Sequence, residues 1–321
     1  MAPPEPRLLL DRDDPKLPDW PRSNGGQTNR MALKSNANVI IVEQLTERVK
    51  ALETATDGDV VVVCAPMRFG VDAVIRDAIE GLKKHKRKLT VVLETEGGYI
   101  EVVQRIAQTF RRFYRTVEFI VPNYAYSAGT VLVMCGDAIH MDYFSVLGPI
   151  DPQLPKDDRM VPALGYLEQY KRLIEKSAKG ELTTAELAYL INRFDPAELY
   201  MYEQARELSI SLLKEWLVKY KFKNWRKTKT RKLKVTKKMK VKRAEEIGNA
   251  LNKIDKWNSH GRGIHMGILR RDMKLIIEDF GKDAELNSAV KDYHKLLLDY
   301  RSTVQHQYVV QTREQYLPLR W

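Results

Sequence analysis

The chain has 321 residues, 44% of them hydrophobic and 30% charged, with a formal net charge of +12. That length and apolar share can build a sizeable core, as one large domain or two modest ones, and no stretch approaches the ~18 uninterrupted apolar residues of a membrane span. The N-terminal MAPPEPRLLLDRDD lacks the apolar run of a secretory leader. Cys64 and Cys135 sit in the apolar runs VVVVC and TVLVMC, which predicts reduced core thiols. The expectation is a cytoplasmic protein with no membrane insertion, no cofactor and no metal.

In chain order, residues 1–37 are rich in Pro, Asp, Arg and Asn and predict an extended or disordered arm. Residues 59–65, DVVVVCA, form a continuous β-branched run that suits a strand buried on both faces. Residues 70–84 follow as a helix with Val71, Val74, Ile75, Ala78 and Leu82 on one face. A second strand at 88–93 leads into Thr95-Glu96-Gly97-Gly98 and a helix at 99–114, striped by Val103, Ile106, Ala107 and Phe110. A third strand at 117–121 leads into Ser127 and another apolar helix, and His140 lies on a further strand. Strands alternating with helices over this length predict βαβ crossovers and a mostly parallel sheet, placed in a domain at 38–180.

Beyond it, residues 181–243 read as helices that end in a basic stretch at 219–243, and residues 244–321 as a further helical region with a tail. Positions 219–243 hold fourteen Lys or Arg and no Asp or Glu, so the rest of the chain carries about −2 (12 − 14). Such a run is either a solvated face or a surface for nucleic acid or another polyanion, and Tyr220, Phe222 and Trp225 at its start are of a type that stacks on bases. His260 and His265 bracket a loop without the helical spacing of a metal site.

Function is sought where parallel strands end and helices begin, because unpaired N–H groups point outward there. Gly97 and Gly98 let the backbone approach a ligand closely, and a hydroxyl at Ser127, followed by Ala128 and Gly129, opens a helix whose dipole favours an alkoxide-like nucleophile. Taken singly, a Gly pair is a turn and a Ser is a helix N-cap. Together they form an ordered set: Ser127 lies 29 positions after Gly98, and Leu147-Gly148-Pro149-Ile150-Asp151-Pro152-Gln153 begins 20 positions later.

The order Gly-Gly, helix, strand, Ser-Ala-Gly, helix, strand, LGPIDPQ resembles the ClpP/SppA branch of the crotonase-like superfamily, and more closely the family called serine dehydrogenase proteinase. The similarity covers roughly residues 60–153, with an echo at 243–264. It implies an α/β fold with a repeated ββα-type core, a parallel sheet and a C-terminal helical extension. It further implies a serine endopeptidase acting on peptides or unfolded segments through an acyl-enzyme at Ser127, with the N–H groups of Gly98 and Ala128 as oxyanion donors. Gly97, Gly129, Gly148 and Pro149 would line the substrate, and the subunits would assemble as a homo-oligomer. The general base stays open among Asp151, as base or orienter, and Lys171 and Lys176, with Lys156 nearby. Glu96 departs from the small residue or Pro that the family carries before the glycines. Two other classes fit the fold: an inactive relative that binds peptide in the same cleft, and crotonase-type chemistry on an acyl thioester.

Overall fold

A computed structural model describes residues 37–150, 153–156, 159–228, 230–253, 257 and 261–320. Helix α1 (Ala37–Thr56) precedes β1 (Asp59–Cys64), α2 (Val71–Glu80), β2 (Lys88–Glu94), α3 (Ile100–Phe113), β3 (Thr116–Ile120), β4 (Tyr124–Ala125), α4 (Ala128–Val133), β5 (Ala138–Met141) and β6 (Val146–Leu147). A two-stranded unit, β7 (Gln153–Lys156) with β8 (Arg159–Pro162), leads to α5 (Ala163–Ala178), α6 (Thr184–Arg193) and α7 (Pro196–Trp216). A π-helical turn at Leu217–Lys221 and α8 (Lys237–Leu251) come next. The chain continues with β9 (Ile264–His265), α9 (Met266–Arg271), β10 (Glu278–Asp279), α10 (Ala284–Val304), β11 (Tyr308–Gln311) and β12 (Tyr316–Leu319).

The central sheet has the order β10-β5-β3-β2-β1-β11-β12. It is parallel from β10 to β1, as the alternation of strands and helices predicts, while β11 and β12 add an antiparallel edge. The valine run of β1 explains itself here. Val61 and Val63 face the core beneath α2, α3 and α4, whereas Val60, Val62 and Cys64 face a second core against Leu45 and Leu52 of α1 and Tyr293 and Leu297 of α10. With alternate side chains buried on opposite faces, no position in β1 can be polar except at its ends.

The first core also takes Leu213 and Trp216 of α7, Ile247 and Leu251 of α8, Leu269 of α9 and Val310 of β11, so segments far along the chain share it. A third cluster, with Leu167, Phe194, Leu199 and Tyr202, joins α5, α6 and α7. Cys64 and Cys135 are free, buried thiols, and burial raises each to about 12, which keeps them protonated and unreactive. Among the described residues no helix is long and apolar enough to cross a membrane.

The polar start of β1 is fully buried. Asp59 accepts from Arg313 at 2.7 Å, from the Tyr114 hydroxyl at 3.0 Å and from the Lys86 N–H at 2.8 Å, and Arg313 also reaches Glu53 at 2.7 Å. Removing one partner of such a group strands a buried charge. Arg313→Met is therefore expected to lower unfolding stability by about 3 kcal/mol, read as a lower urea midpoint at unchanged m-value, with Arg313→Lys recovering part of the loss.

Candidate active site

The sheet continues past the strand ends as loops laid side by side. The Met67 N–H donates to the Gly97 carbonyl and the Tyr99 N–H to the Met67 carbonyl, both at 2.7 Å. This parallel bridge between Met67 and Gly98 turns the N–H of Gly98 away from Met67. One segment further across, the Thr95 N–H bonds the Tyr124 carbonyl at 3.1 Å and the Tyr126 N–H the Thr95 carbonyl at 2.9 Å, which fixes the glycine loop against the segment that carries Ser127.

Ser127 occupies φ 51°, ψ −121°, a left-handed-side conformation that non-glycine residues rarely adopt. It is the residue before α4, where a serine would ordinarily cap the helix from the β region with its hydroxyl. Here the hydroxyl makes no capping bond. Instead the serine carbonyl accepts the Thr130 and Val131 N–H groups at 2.9 and 3.3 Å, and the side chain stands free of the helix start. Because α4 has only six residues, a helix dipole contributes little to this position. The useful polarity comes from individual N–H groups: among the described residues neither Gly98 nor Ala128 donates its N–H to a partner.

The glycines explain how these segments come so close. A Cβ at Gly97, which has φ +96°, would lie 2.7 Å from the Tyr126 carbonyl oxygen and 2.8 Å from Cβ of Ser127, and one at Gly98, φ +143°, would lie 2.4 Å from the Met67 carbonyl oxygen. At Gly129 the missing Cβ makes room for Thr95, and at Gly148 for Tyr126. Both of these glycines and Pro149 are buried, whereas Gly98 is exposed. Thr130, wholly buried, locks the assembly: its hydroxyl lies 2.7 Å from the Ala125 carbonyl and accepts the Gly148 N–H at 2.9 Å.

The structure thus brings Gly97, Gly98, Ser127, Ala128, Gly129 and Gly148 into one cluster. Asp151 lies outside the described residues. Lys171 and Lys176 are on α5, where Lys171 lies 3.9 Å from Glu168 and Lys176 bonds Glu186 at 2.5 Å, and the helix packs with α6 and α7. His140 pairs with Glu118 at 3.2 Å on the strands behind the site. Glu96 is exposed, so its carboxylate is hydrated and its field at the serine is screened. Tyr220 lies under the Arg111 guanidinium at 3.7 Å, Phe222 is buried, and Trp225 packs edge-on to Phe222, so the rings at the start of the basic stretch belong to the protein's own core.

Two features escape a reading of the sequence. Phe69 and Tyr99, both about half exposed, hold their rings 5.0 Å apart, tilted at 41°, with Tyr99 next to Gly98. Glu94, at the end of β2 just before the glycine loop, bonds His294 of α10 at 2.8 Å across 200 positions. Burial pushes the Glu94 carboxyl up, but His294, the Asn123 amide and the Arg301 cation more than offset this and hold it below the usual carboxylate range. A depressed carboxyl stabilises the fold above its ordinary pKa and ceases to do so as the pH falls through the lowered value. His294→Leu is expected to cost about 1.5–3 kcal/mol at pH 7 and to bring acid unfolding on at higher pH than in the wild type, measured as urea midpoints across the acid range.

The model of the ClpP-like SDH-type serine proteinases matches residues 72–253, more than half of the chain, including the glycine loop and Ser127. Similar curated proteins include two uncharacterized proteins of Methanocaldococcus jannaschii. MJ1495 is 31% identical over 37% of this chain and 38% of its own length, and MJ0137 is 38% identical over 24% of this chain and 27% of its own. The chain thus spans well under half the length of these relatives in the matched regions. Similar solved structures include a membrane-bound stomatin-specific protease, 1510-N, in a serine-to-alanine form, at 18% identity and a TM-score of 0.29 over 44% of this chain and 74% of that one. A ClpP1 variant from Listeria monocytogenes aligns at 12% identity and a TM-score of 0.30 over 54% of this chain and 77% of that one. By the extent of the family match and the motifs within it, this chain belongs to the ClpP-like SDH-type serine proteinase family.

Proposed function

We propose that the protein is a serine endopeptidase with Ser127 as nucleophile and the N–H groups of Gly98 and Ala128 as oxyanion donors. The observation that carries this reading is the Ser127 backbone: a residue held at φ 51° at a strand-to-helix turn, with its hydroxyl withheld from capping. Conformations of this kind cost about 1–3 kcal/mol and persist where the surroundings over-determine them. In the proposed reaction the Ser127 oxygen attacks a peptide carbonyl carbon and its proton passes to the base. The oxyanion is held by the two N–H groups, the C–N bond breaks as the amine takes a proton, and water hydrolyses the acyl ester. Phe69 and Tyr99 would pack on an apolar side chain of a peptide or unfolded segment laid along the exposed Gly98. Asp151, three positions after Gly148, stays the first candidate for base or orienter by sequence position, with Lys171 and Lys176 as alternatives.

A second reading has its own support. Among the described residues no side chain hydrogen-bonds the Ser127 hydroxyl, and the two lysines are engaged by carboxylates, which suits a relative that binds peptide in this cleft without cleaving it. A fluorophosphonate probe separates the two. Labelling at Ser127, lost in Ser127→Ala with the fold unchanged because the hydroxyl makes no capping bond, is expected for the peptidase, and an unlabelled wild type would leave the binding reading. Of Asp151→Asn, Lys171→Met and Lys176→Met, the change that removes the base should slow labelling by ~10²–10⁴.

We further propose that the subunits self-associate through α6 and α7, where Ile191, Tyr200 and Met201 are between 63% and 70% exposed. Light scattering at micromolar concentration is expected to give a multiple of 37.2 kDa, and a monomer would overturn the assignment.

A further inference from the structure

The basic stretch at 219–243 divides into two parts with different partners. Lys219 pairs with Glu215, Lys223 with Asp137 and Arg243 with Glu246, and the Lys240 ammonium donates to the Lys223 carbonyl. Of these, Lys223 ties the stretch to Asp137 in the body of the protein and Lys240 ties α8 to Lys223, while the Lys219 and Arg243 pairs are local, four and three positions apart. Between them, the chain forms a short hairpin closed by the bridge between Lys227 and Lys234. The Thr228 N–H bonds the Leu233 carbonyl and the Val235 N–H the Arg226 carbonyl, both at 2.9 Å. The hairpin presents Arg226, Lys227, Arg231, Lys232 and Lys234, and α8 then opens with Lys237 and Lys238. All seven are exposed, and among the described residues none of them forms an ion pair.

Two observations set this surface apart from an ordinary solvated face. Lys237 and Lys238 stand in the first turn of a 15-residue helix that has no acid there, the end where the helix dipole disfavours cations. Leu233, in the middle of the cations, is 55% exposed, although Phe222 and Trp225 a few positions earlier are folded into the core. The sequence therefore places positive charge against its local preference and leaves an aliphatic side chain in water beside it.

We propose that the hairpin and the first turn of α8 form a peripheral docking surface for an anionic lipid bilayer, with the cations on head-group phosphates and Leu233 at the acyl boundary. Clustered Lys and Arg are drawn to anionic leaflets, and an aliphatic side chain adds binding only where there is hydrocarbon to enter. A nucleic acid would use the charge but not the leucine, and the rings that could stack on its bases are occupied in the core. The surface is also remote from the serine. Helix α8 runs about 22 Å from its lysines to Leu251, whose carbonyl accepts the Ile150 N–H beside the serine loop at 3.2 Å. Docking at one end would leave the exposed Gly98 beside the serine loop uncovered at the other. The inference does not rest on the peptidase reading.

The test is co-sedimentation of the full chain with vesicles of phosphatidylcholine holding about 30% phosphatidylserine, beside pure phosphatidylcholine vesicles, a short DNA duplex and a single strand. The protein is expected on the anionic vesicles and not on the neutral ones, and to be released as salt rises to about 0.5 M. Each cation near the surface is worth about fivefold, so changing Lys232, Lys234, Lys237 and Lys238 together to Gln should weaken binding by ~10²–10³-fold. Leu233→Ser should weaken it severalfold at unchanged charge, with circular dichroism and thermal unfolding as in the wild type. No binding to anionic vesicles at low salt, or binding unchanged in the four-lysine variant, would overturn the proposal. So would a Leu233→Ser protein that binds like the wild type while the duplex is held more tightly than the vesicles, which would assign the surface to nucleic acid.

Discussion

Everything around Ser127 depends on two loops lying closer together than side chains permit. Gly97 stands where a methyl group would overlap the Tyr126 carbonyl and the Ser127 side chain, and Gly98 where one would overlap the Met67 carbonyl. Only with both Cβ atoms absent can Met67, the glycine loop and the serine loop run on as a parallel continuation of the sheet. That continuation is what orients the free N–H of Gly98. It also holds the serine in a strained backbone state, because the turn is bonded on both sides and has no room to relax.

The scaffold that enforces this contact is assembled from distant parts of the chain. The family match covers 72–253, yet β1 lies before it, and the opposite face of the sheet is covered by α1 and α10. The C-terminal segment makes two polar reaches into the centre: Arg313 neutralises Asp59 at the start of β1, and His294 holds Glu94 where β2 turns into the glycine loop. Both carboxylates are buried, and each would be costly without its partner. The C-terminal segment thus supports both ends of the central strands, and His294 acts through Glu94, three positions before Gly97.

Charge is distributed by the same logic. Near the body of the protein the cations of the basic stretch are matched with Asp137, Glu215 and Glu246, and Arg111 joins Asp137 while covering the Tyr220 ring. Further out, on the hairpin, matching stops among the described residues. The transition from paired to unpaired cations occurs within a few residues of Trp225, where the chain leaves the core.

Much of this was legible in the residues alone. The β-branched run at 59–65, the helical stripes and the spacing of Gly-Gly, Ser-Ala-Gly and LGPIDPQ are local patterns, and local periodicity determines strand, helix and the order in which the loops come to the strand ends. The antiparallel edge of β11 and β12, the core shared by α7, α8 and α9, and the pairing of Glu94 with His294 join residues whose separations carry no periodic signal. The serine shows the division most clearly. From the sequence, Ser127 before an apolar helix is as much a helix cap as a nucleophile, since both need a hydroxyl at the same position. Only the tertiary structure shows that Ser127 is not an ordinary cap: its φ of 51° and its lack of a capping bond go with the close approach of Gly97, a neighbour 30 positions away that the residues on either side do not encode.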